Sequence, residues 1–236
     1  MALHGIRLEP MVVAKLCQRA ENEFVGVRSG LLDQATSVFG RANHVVHLDF
    51  QSGEIRAIPF HEDVSLIIAN SGAQHQLPQS EYNTRREECA AAAKALGLPS
   101  LREVSSARLQ TARRLLDPIL FRRAAHIAGE NERVALALDA LEQDDAARLG
   151  SLMNASHESS RLNFENSTPA LDRLVQVARA LPGVLGSRLT GGGFGGGTVT
   201  LVETEAAADT ARELARHSPL AFVCQTANGA ALTWPK

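Results

Sequence analysis

Apolar and polar positions divide this chain into helix-like and strand-like stretches. Met11, Leu16 and Ala20 recur at near-helical spacing among Lys15, Gln18, Arg19 and Glu21, which predicts a helix over 11–24. The two glycines within 25–30 break that pattern, and a second short helix fits 31–39 before Gly40. Strand-like runs over 44–50 and 54–59 flank Gln51-Ser52-Gly53, so the pair reads as a hairpin. The run VSLIIA at 64–69 is continuously apolar and suits a buried strand.

The middle of the chain is helical in pattern. A helix over 80–96 has Ser80 as a cap, Glu81 in its first turn and Gly97 after its last. Arg85, Arg86, Glu87 and Glu88 form its charged side, and the alanines at 90–93 suit close packing. Helices are expected over 101–107, 108–115, 117–128, 130–142 and 151–160, and over 168–180 with Pro169 at an early position. A glycine-rich loop at 191–197 then feeds a strand over 198–202, followed by a helix at 205–216 and a last strand at about 220–225. No repeat of solenoid period is present, and strands and helices mix without strict alternation. The class read from this order is α+β.

Composition narrows the functions available. The 236 residues hold 44% hydrophobic and 21% charged positions, a globular profile rather than a disordered one. With 24 basic and 26 acidic residues the net charge is −2, which removes any global argument for nucleic acid or a membrane surface. Trp234 and Tyr82 are the single tryptophan and tyrosine, too few aromatics for a base-stacking platform. No apolar stretch approaches the roughly 20 residues that span a bilayer. The start Met1-Ala2-Leu3-His4-Gly5 lacks a signal-peptide layout. Cys17, Cys89 and Cys224 are odd in number and far apart, with no C-x-x-C pair. They read as small hydrophobes of a protein in a reducing compartment, so a cytoplasmic setting is expected.

The candidate chemistry lies in three places. Gly191, Gly192, Gly193, Gly195 and Gly196 let backbone approach backbone or ligand closely, and successive N–H groups there can form an anion-binding concavity. A plain hairpin or spacer is the alternative. No Lys-Ser/Thr follows the loop, and it feeds a strand, so it is neither a Walker A loop nor a dinucleotide fingerprint. Asp33, just after the Gly30 turn at a helix start, either takes a proton from a substrate hydroxyl or simply complements the helix dipole. Tyr82, near a helix N-terminus, either donates to a polar ligand or packs. His75, His126 and His157 show no metal-ligand spacing and read as structural.

These stretches together resemble the galactokinases of the GHMP small-molecule kinase superfamily. The resemblance covers nearly the whole chain. It runs through QRAENEFVGV at 18–27, GLLDQ at 30–34, Asn70-Ser71 and SEYNTRREEC at 80–89. It continues through ENERV at 130–134, LMNASH at 152–157 and GSRLTGGGFGG at 186–196, which is similar to the third superfamily motif. The resemblance implies ATP- and Mg²⁺-dependent phosphorylation of the galactose anomeric hydroxyl. It implies Asp33 as the carboxylate at that hydroxyl, Gly30 as a backbone contact to the sugar, Tyr82 in the sugar pocket and the glycine loop near the nucleotide phosphates. It also implies the fold: a partial N-terminal α/β domain of the ribosomal S5 domain 2-like type over 1–60, and a ferredoxin-like C-terminal domain over 61–236.

Two departures accompany the resemblance. The family's GRVNLIGEHTDY segment and its P-x-G-x-G-L-S-S-S-A phosphate loop are absent from these 236 residues, and Gly197 stands where many relatives carry Cys. Losing one preorganised donor typically costs roughly 10²–10³ in rate. The chain alone is therefore expected to lack useful kinase activity and to hold ATP poorly. A non-catalytic sugar-binding or regulatory module, and a fragment completed by another chain, are the alternatives. Self-association through 1–60 is expected where strand edges and apolar faces are left bare.

Overall fold

A computed structural model describes residues 8–26, 29–73 and 78–231. They fall into two compact units. One runs to Glu62 and takes back the stretch from Gln225; the other is Asp63–Cys224.

In the first unit, α1 (Pro10–Ala20) starts on a proline and continues into a widened π-helical turn, Glu21–Val25. Gly26 ends it with φ of +82°. Helix α2 (Leu32–Phe39) packs against α1, with Ala14 and Ala35 fully buried. Strands β1 (His44–Leu48) and β2 (Ile55–Pro59) form the expected antiparallel hairpin, from His44↔Pro59 to Leu48↔Ile55. The returning C-terminal stretch is held by backbone: Gly229 N–H donates to Gly40 O (2.7 Å) and Ala230 N–H to Ser37 O (2.7 Å).

The second unit is built on a four-stranded antiparallel sheet. Strand β3 (Val64–Asn70) is followed by α3 (Pro78–Ala95), α4 (Ser106–Thr111), α5 (Pro118–Glu142), α6 (Ala146–Ser159) and α7 (Pro169–Arg179). Then come β4 (Val184–Thr190), β5 (Gly197–Glu203), α8 (Ala207–Leu214) and β6 (Ala221–Cys224). The sheet order β4-β5-β3-β6 is the ferredoxin-like split β-α-β arrangement, with a helical insertion in its first crossover. The α+β class read from the sequence is the observed one. One core joins Ile67, Ala69 and Val202 of the sheet to Leu174, Ala178 and Leu214; another joins Ala92, Leu109, Leu116 and Ala124 among the helices.

Three elements differ from the sequence pattern. The predicted helices 117–128 and 130–142 are one helix, α5. Gly129 interrupts the pattern, and glycine costs a helix about 1 kcal/mol relative to alanine. Here the bare position makes room for the Arg133 side chain, whose Nη2 would lie 2.9 Å from a Cβ on Gly129. The helices expected over 101–115 resolve into α4 between two short 3₁₀ turns, because Ser100 and Ser105 each cap a new start. Strand β4 was not predicted at all, since glycine and polar residues interrupt its apolar pattern.

The reason β4 forms lies on α6. Only β5 pairs with β4, so its other edge presents unpaired backbone groups. Side chains of α6 satisfy them. Asn154 Oδ1 accepts from Ser187 N–H (2.9 Å), Asn154 Nδ2 donates to Leu185 O (3.4 Å), and His157 Nδ1 accepts from Leu189 N–H (3.3 Å). One turn earlier, Gly150 lets the helix touch the strand: a Cβ on Gly186 would lie 2.1 Å from Gly150 O. Ser187, fully buried, meets Thr200 Oγ1 at 2.9 Å across the hairpin.

Gly186→Ala must therefore push α6 off β4, and urea titration should show an unfolding free energy lowered by about 1–3 kcal/mol or more. Asn154→Ala leaves two edge groups without partners and should cost about 1–3 kcal/mol in the same measurement.

Candidate active site

Asp33 is exposed and occupies the first turn of α2, where the helix N-terminus favours a carboxylate. Gly30 is exposed three residues earlier, and a Cβ there would meet nothing within 4 Å. The neighbouring Ser29 is anchored on both sides: its Oγ donates to Glu21 Oε2 (2.7 Å) and its carbonyl accepts from Gln18 Nε2 (3.2 Å). The π-helical turn thus fixes the entry to α2, and Asp33 makes no ion pair among the described residues.

The glycine loop is the β4–β5 connection, closed by the pair Thr190↔Gly197. It is embedded rather than free. Phe194 N–H donates to Asn166 O at 2.6 Å, Asn166 Nδ2 donates to Gly192 O at 3.1 Å, and Ser71 N–H donates to Gly196 O at 2.7 Å. At Gly193 any side chain is excluded, because a Cβ would lie 2.2 Å from Asn166 O. Phe194 itself holds φ of +60°, an unfavourable backbone for a non-glycine residue. Its ring lies under the Arg85 guanidinium, 5.6 Å from centroid to Cζ. Successive glycine N–H groups along such a loop are of the kind that can form an anion-binding concavity.

Tyr82 joins this loop. A Cβ on Gly192 would lie 3.5 Å from Tyr82 Cδ2, so the half-buried ring rests against the bare glycine backbone. The second unit therefore brings together Tyr82 and the glycine loop, two features 109 positions apart (191 − 82). Asp33 and Gly30 belong to the first unit.

Behind the loop sits a charged cluster that the sequence pattern did not disclose. Arg85 and Glu88, read as part of a solvent-facing side of α3, are largely covered, with side chains 16% and 21% exposed. They meet Arg123 of α5, whose side chain is 3% exposed. Arg123 donates to Glu88 Oε2 (2.6 Å), Asn163 O (2.6 Å) and Glu165 Oε2 (2.7 Å). Arg85 Nε donates to Phe164 O (2.6 Å) and its Nη2 to Glu165 O (3.2 Å). Burial alone would lower the Arg123 guanidinium, but the Glu88 and Glu165 hydrogen bonds outweigh it and raise its pKa. Arg123 also holds Glu165 below the usual carboxylate range. Asn163, Phe164 and Glu165 lie in and just after a second π-helical turn, Ser160–Phe164, immediately before Asn166.

The histidines are structural. His157 bridges Leu189 N–H and Asp172, with Nε2 3.3 Å from Asp172 Oδ1. His126 stacks on Phe164 at 4.4 Å and lies 3.0 Å from Ser159 Oγ. Burial pushes His126 down to about 4, with Glu130 opposing and Arg133 and Arg188 assisting. His75 and Trp234 lie outside the described residues. The cysteines are free: Cys17 is exposed, not buried as its composition class suggested, while Cys89 and Cys224 are half-buried. Burial and the neighbouring Glu88 push the Cys89 thiol up to about 11, so it is unreactive. Among the described residues no group of three or more His, Cys, Asp or Glu could hold a metal ion. No helix among them is long and apolar enough to cross a membrane.

The comparisons with known proteins agree with this geometry. Residues 137–218 match the family described as GHMP kinases C terminal, and residues 1–41 match the GHMP kinases N terminal domain. The glycine-loop hairpin on a ferredoxin-like sheet is thus that of a GHMP-type small-molecule kinase. Human galactokinase is 43% identical over 221 residues, 92% of this chain and 56% of that protein. Bovine galactokinase is 46% identical over 195 residues, 82% of this chain and 50% of that protein. The Lactococcus lactis galactokinase solved with galactose superposes with a TM-score of 0.91 at 30% identity, over 96% of this chain and 62% of that one. Leishmania major mevalonate kinase shares the fold, with a TM-score of 0.60 at 20% identity. By its two matched domain models the chain is of the GHMP kinase type; it is similar to galactokinases over most of its own length and spans about half the length of the curated relatives it matches.

Two outcomes follow from the buried charges. Arg123→Ala strands Glu88 and two other acceptors, Asn163 O and Glu165, and about 3 kcal/mol of stability should be lost in denaturant titration. His126 titrates near 4 when folded against an ordinary 6.5, so between those values the unfolded chain binds the extra proton. Its contribution is complete above pH 6.5 and is lost as pH falls toward 4, by about 3 kcal/mol at full extent. Denaturation at pH 7 and pH 4.5 should show this loss in the native protein and a smaller one in His126→Asn.

Proposed function

We propose that this chain carries the sugar-facing and glycine-loop portion of an ATP-dependent galactose kinase, a transferase acting on the anomeric hydroxyl. The observation that carries the reading is the 43% identity to human galactokinase over 221 residues, together with a TM-score of 0.91 to a galactokinase solved with galactose; the resemblance of the GLLDQ and SEYNTRREEC segments to the family supports it. Galactose and ATP are the proposed small-molecule partners, and the cytoplasm the proposed setting.

Phosphoryl transfer asks mainly for positioning and for stabilisation of charge. In this reading Asp33 accepts a hydrogen bond from the sugar hydroxyl, orients its oxygen and takes its proton as that oxygen bonds to the γ-phosphorus of ATP and the γ-phosphorus–oxygen bond to ADP, the leaving group, breaks. Gly30 contacts the sugar through its backbone, which an exposed position without a side chain permits. Tyr82 offers a phenol and a ring face to the sugar. Gly191, Gly192, Gly193, Gly195 and Gly196 stand beside the phosphates with their N–H groups. Mg²⁺, where it serves, neutralises phosphate oxygens on the nucleotide and needs at most one or two carboxylates from protein.

The sugar signature and phosphate loop of the family do not occur in these 236 residues. We therefore place ATP affinity and turnover with an assembly in which those motifs are supplied. Val12 and Leu16, one turn apart on α1, are exposed, Leu8 just before the helix is exposed too, and Phe24 is 93% exposed, which supports α1 as the face that such a segment or a second copy covers.

The test is complementation. The chain alone should form no galactose 1-phosphate, and turnover should appear when a galactokinase segment bearing both motifs is added or fused. Asp33→Asn should then lower kcat by about 10²–10⁴. Turnover by the isolated chain at ordinary kinase rates would overturn the assembly requirement. Galactose binding by calorimetry without any turnover in the assembled pair would favour a non-catalytic sugar-binding module.

A further inference from the structure

We infer that Asn166 is a positioning residue that sets the glycine loop and, through Gly192, the seat of the Tyr82 ring. The inference rests on the sugar-kinase reading only for its consequence; the linkage itself is geometric. Asn166 is 94% buried by its 6% exposure and holds the loop at two points, its carbonyl on Phe194 N–H and its Nδ2 on Gly192 O. The approach is close enough that Gly193 tolerates no side chain. Gly192, the residue held by Nδ2, is the one against which Tyr82 lies. Asn166 is itself placed by the charged cluster, because Arg85 and Arg123 grip Phe164 O, Glu165 O, Asn163 O and the Glu165 carboxylate just before it.

Stability does not account for this side chain. Asn166 Oδ1 is buried and meets no donor, and a dry acceptor of that kind costs free energy. Replacing the amide removes that cost together with one hydrogen bond, so the two effects largely offset. What the amide does accomplish is to hold Gly192 O, and with it the backbone that faces the phenol.

Tyr82 is the only tyrosine, so the full chain labelled with 3-fluorotyrosine gives one fluorine resonance. Asn166→Ala should shift or broaden that resonance while the thermal midpoint stays within a few degrees. Arg123→Lys, which keeps the charge but loses the fork onto Glu88, Asn163 O and Glu165, should move it in the same direction. Leu109→Ala, in the separate helical core, should lower the midpoint and leave the resonance in place. An unchanged resonance in Asn166→Ala overturns the inference, as does an equal shift in Leu109→Ala. This readout needs no catalysis, so its failure leaves the complementation result untouched, and a failed complementation leaves this linkage standing.

Discussion

Everything in the second unit depends on one unfilled edge. β4 carries the chain into the glycine loop, yet it has a strand neighbour on one side only. An unsatisfied edge would cost free energy at each buried carbonyl and amide, and would invite pairing with another chain. Helix α6 resolves this by lying so close that Gly150 and Gly186 touch through bare backbone, which brings Asn154 and His157 within reach of Leu185, Ser187 and Leu189. Arg179 then ties Asn154 O and Ser187 O together from α7. The hairpin is held from outside by helix side chains as well as from inside by β5.

The loop at the end of that hairpin shows the same economy of contact. Glycines alone would leave it floppy; here a neighbouring turn holds it. The turn is placed by buried guanidinium groups, and the cost of burying Arg123 is offset because every donor direction in use ends on a carboxylate or carbonyl. The glycine loop is thereby held rigid by the segment behind it rather than by its own side chains.

The two units differ in what they leave open. The first presents Asp33 at a helix start and an exposed apolar row on α1; the second presents Tyr82 and the loop on a well-packed sheet.

The chain's local pattern by itself determined the hairpin at 44–59, the helices α1, α2, α3 and α7, the strand β3 and the α+β class, because caps, periodicity and turn residues act over a few positions. It also marked Asp33, Tyr82 and the glycine loop as candidates. Tertiary structure decided the rest. β4 forms because α6 satisfies its edge, which no pattern within GSRLT announces. α5 runs unbroken through Gly129, where the Arg133 side chain fills the space a Cβ would take. Arg85 and Glu88 look like surface charges until Arg123, 35 positions from Glu88, arrives beneath them. Asn166 carries no motif at all; its role exists only where a loop 26 positions on from it folds back onto its carbonyl and amide. Close approach and burial are properties of pairs of segments, and only the folded chain brings those pairs together.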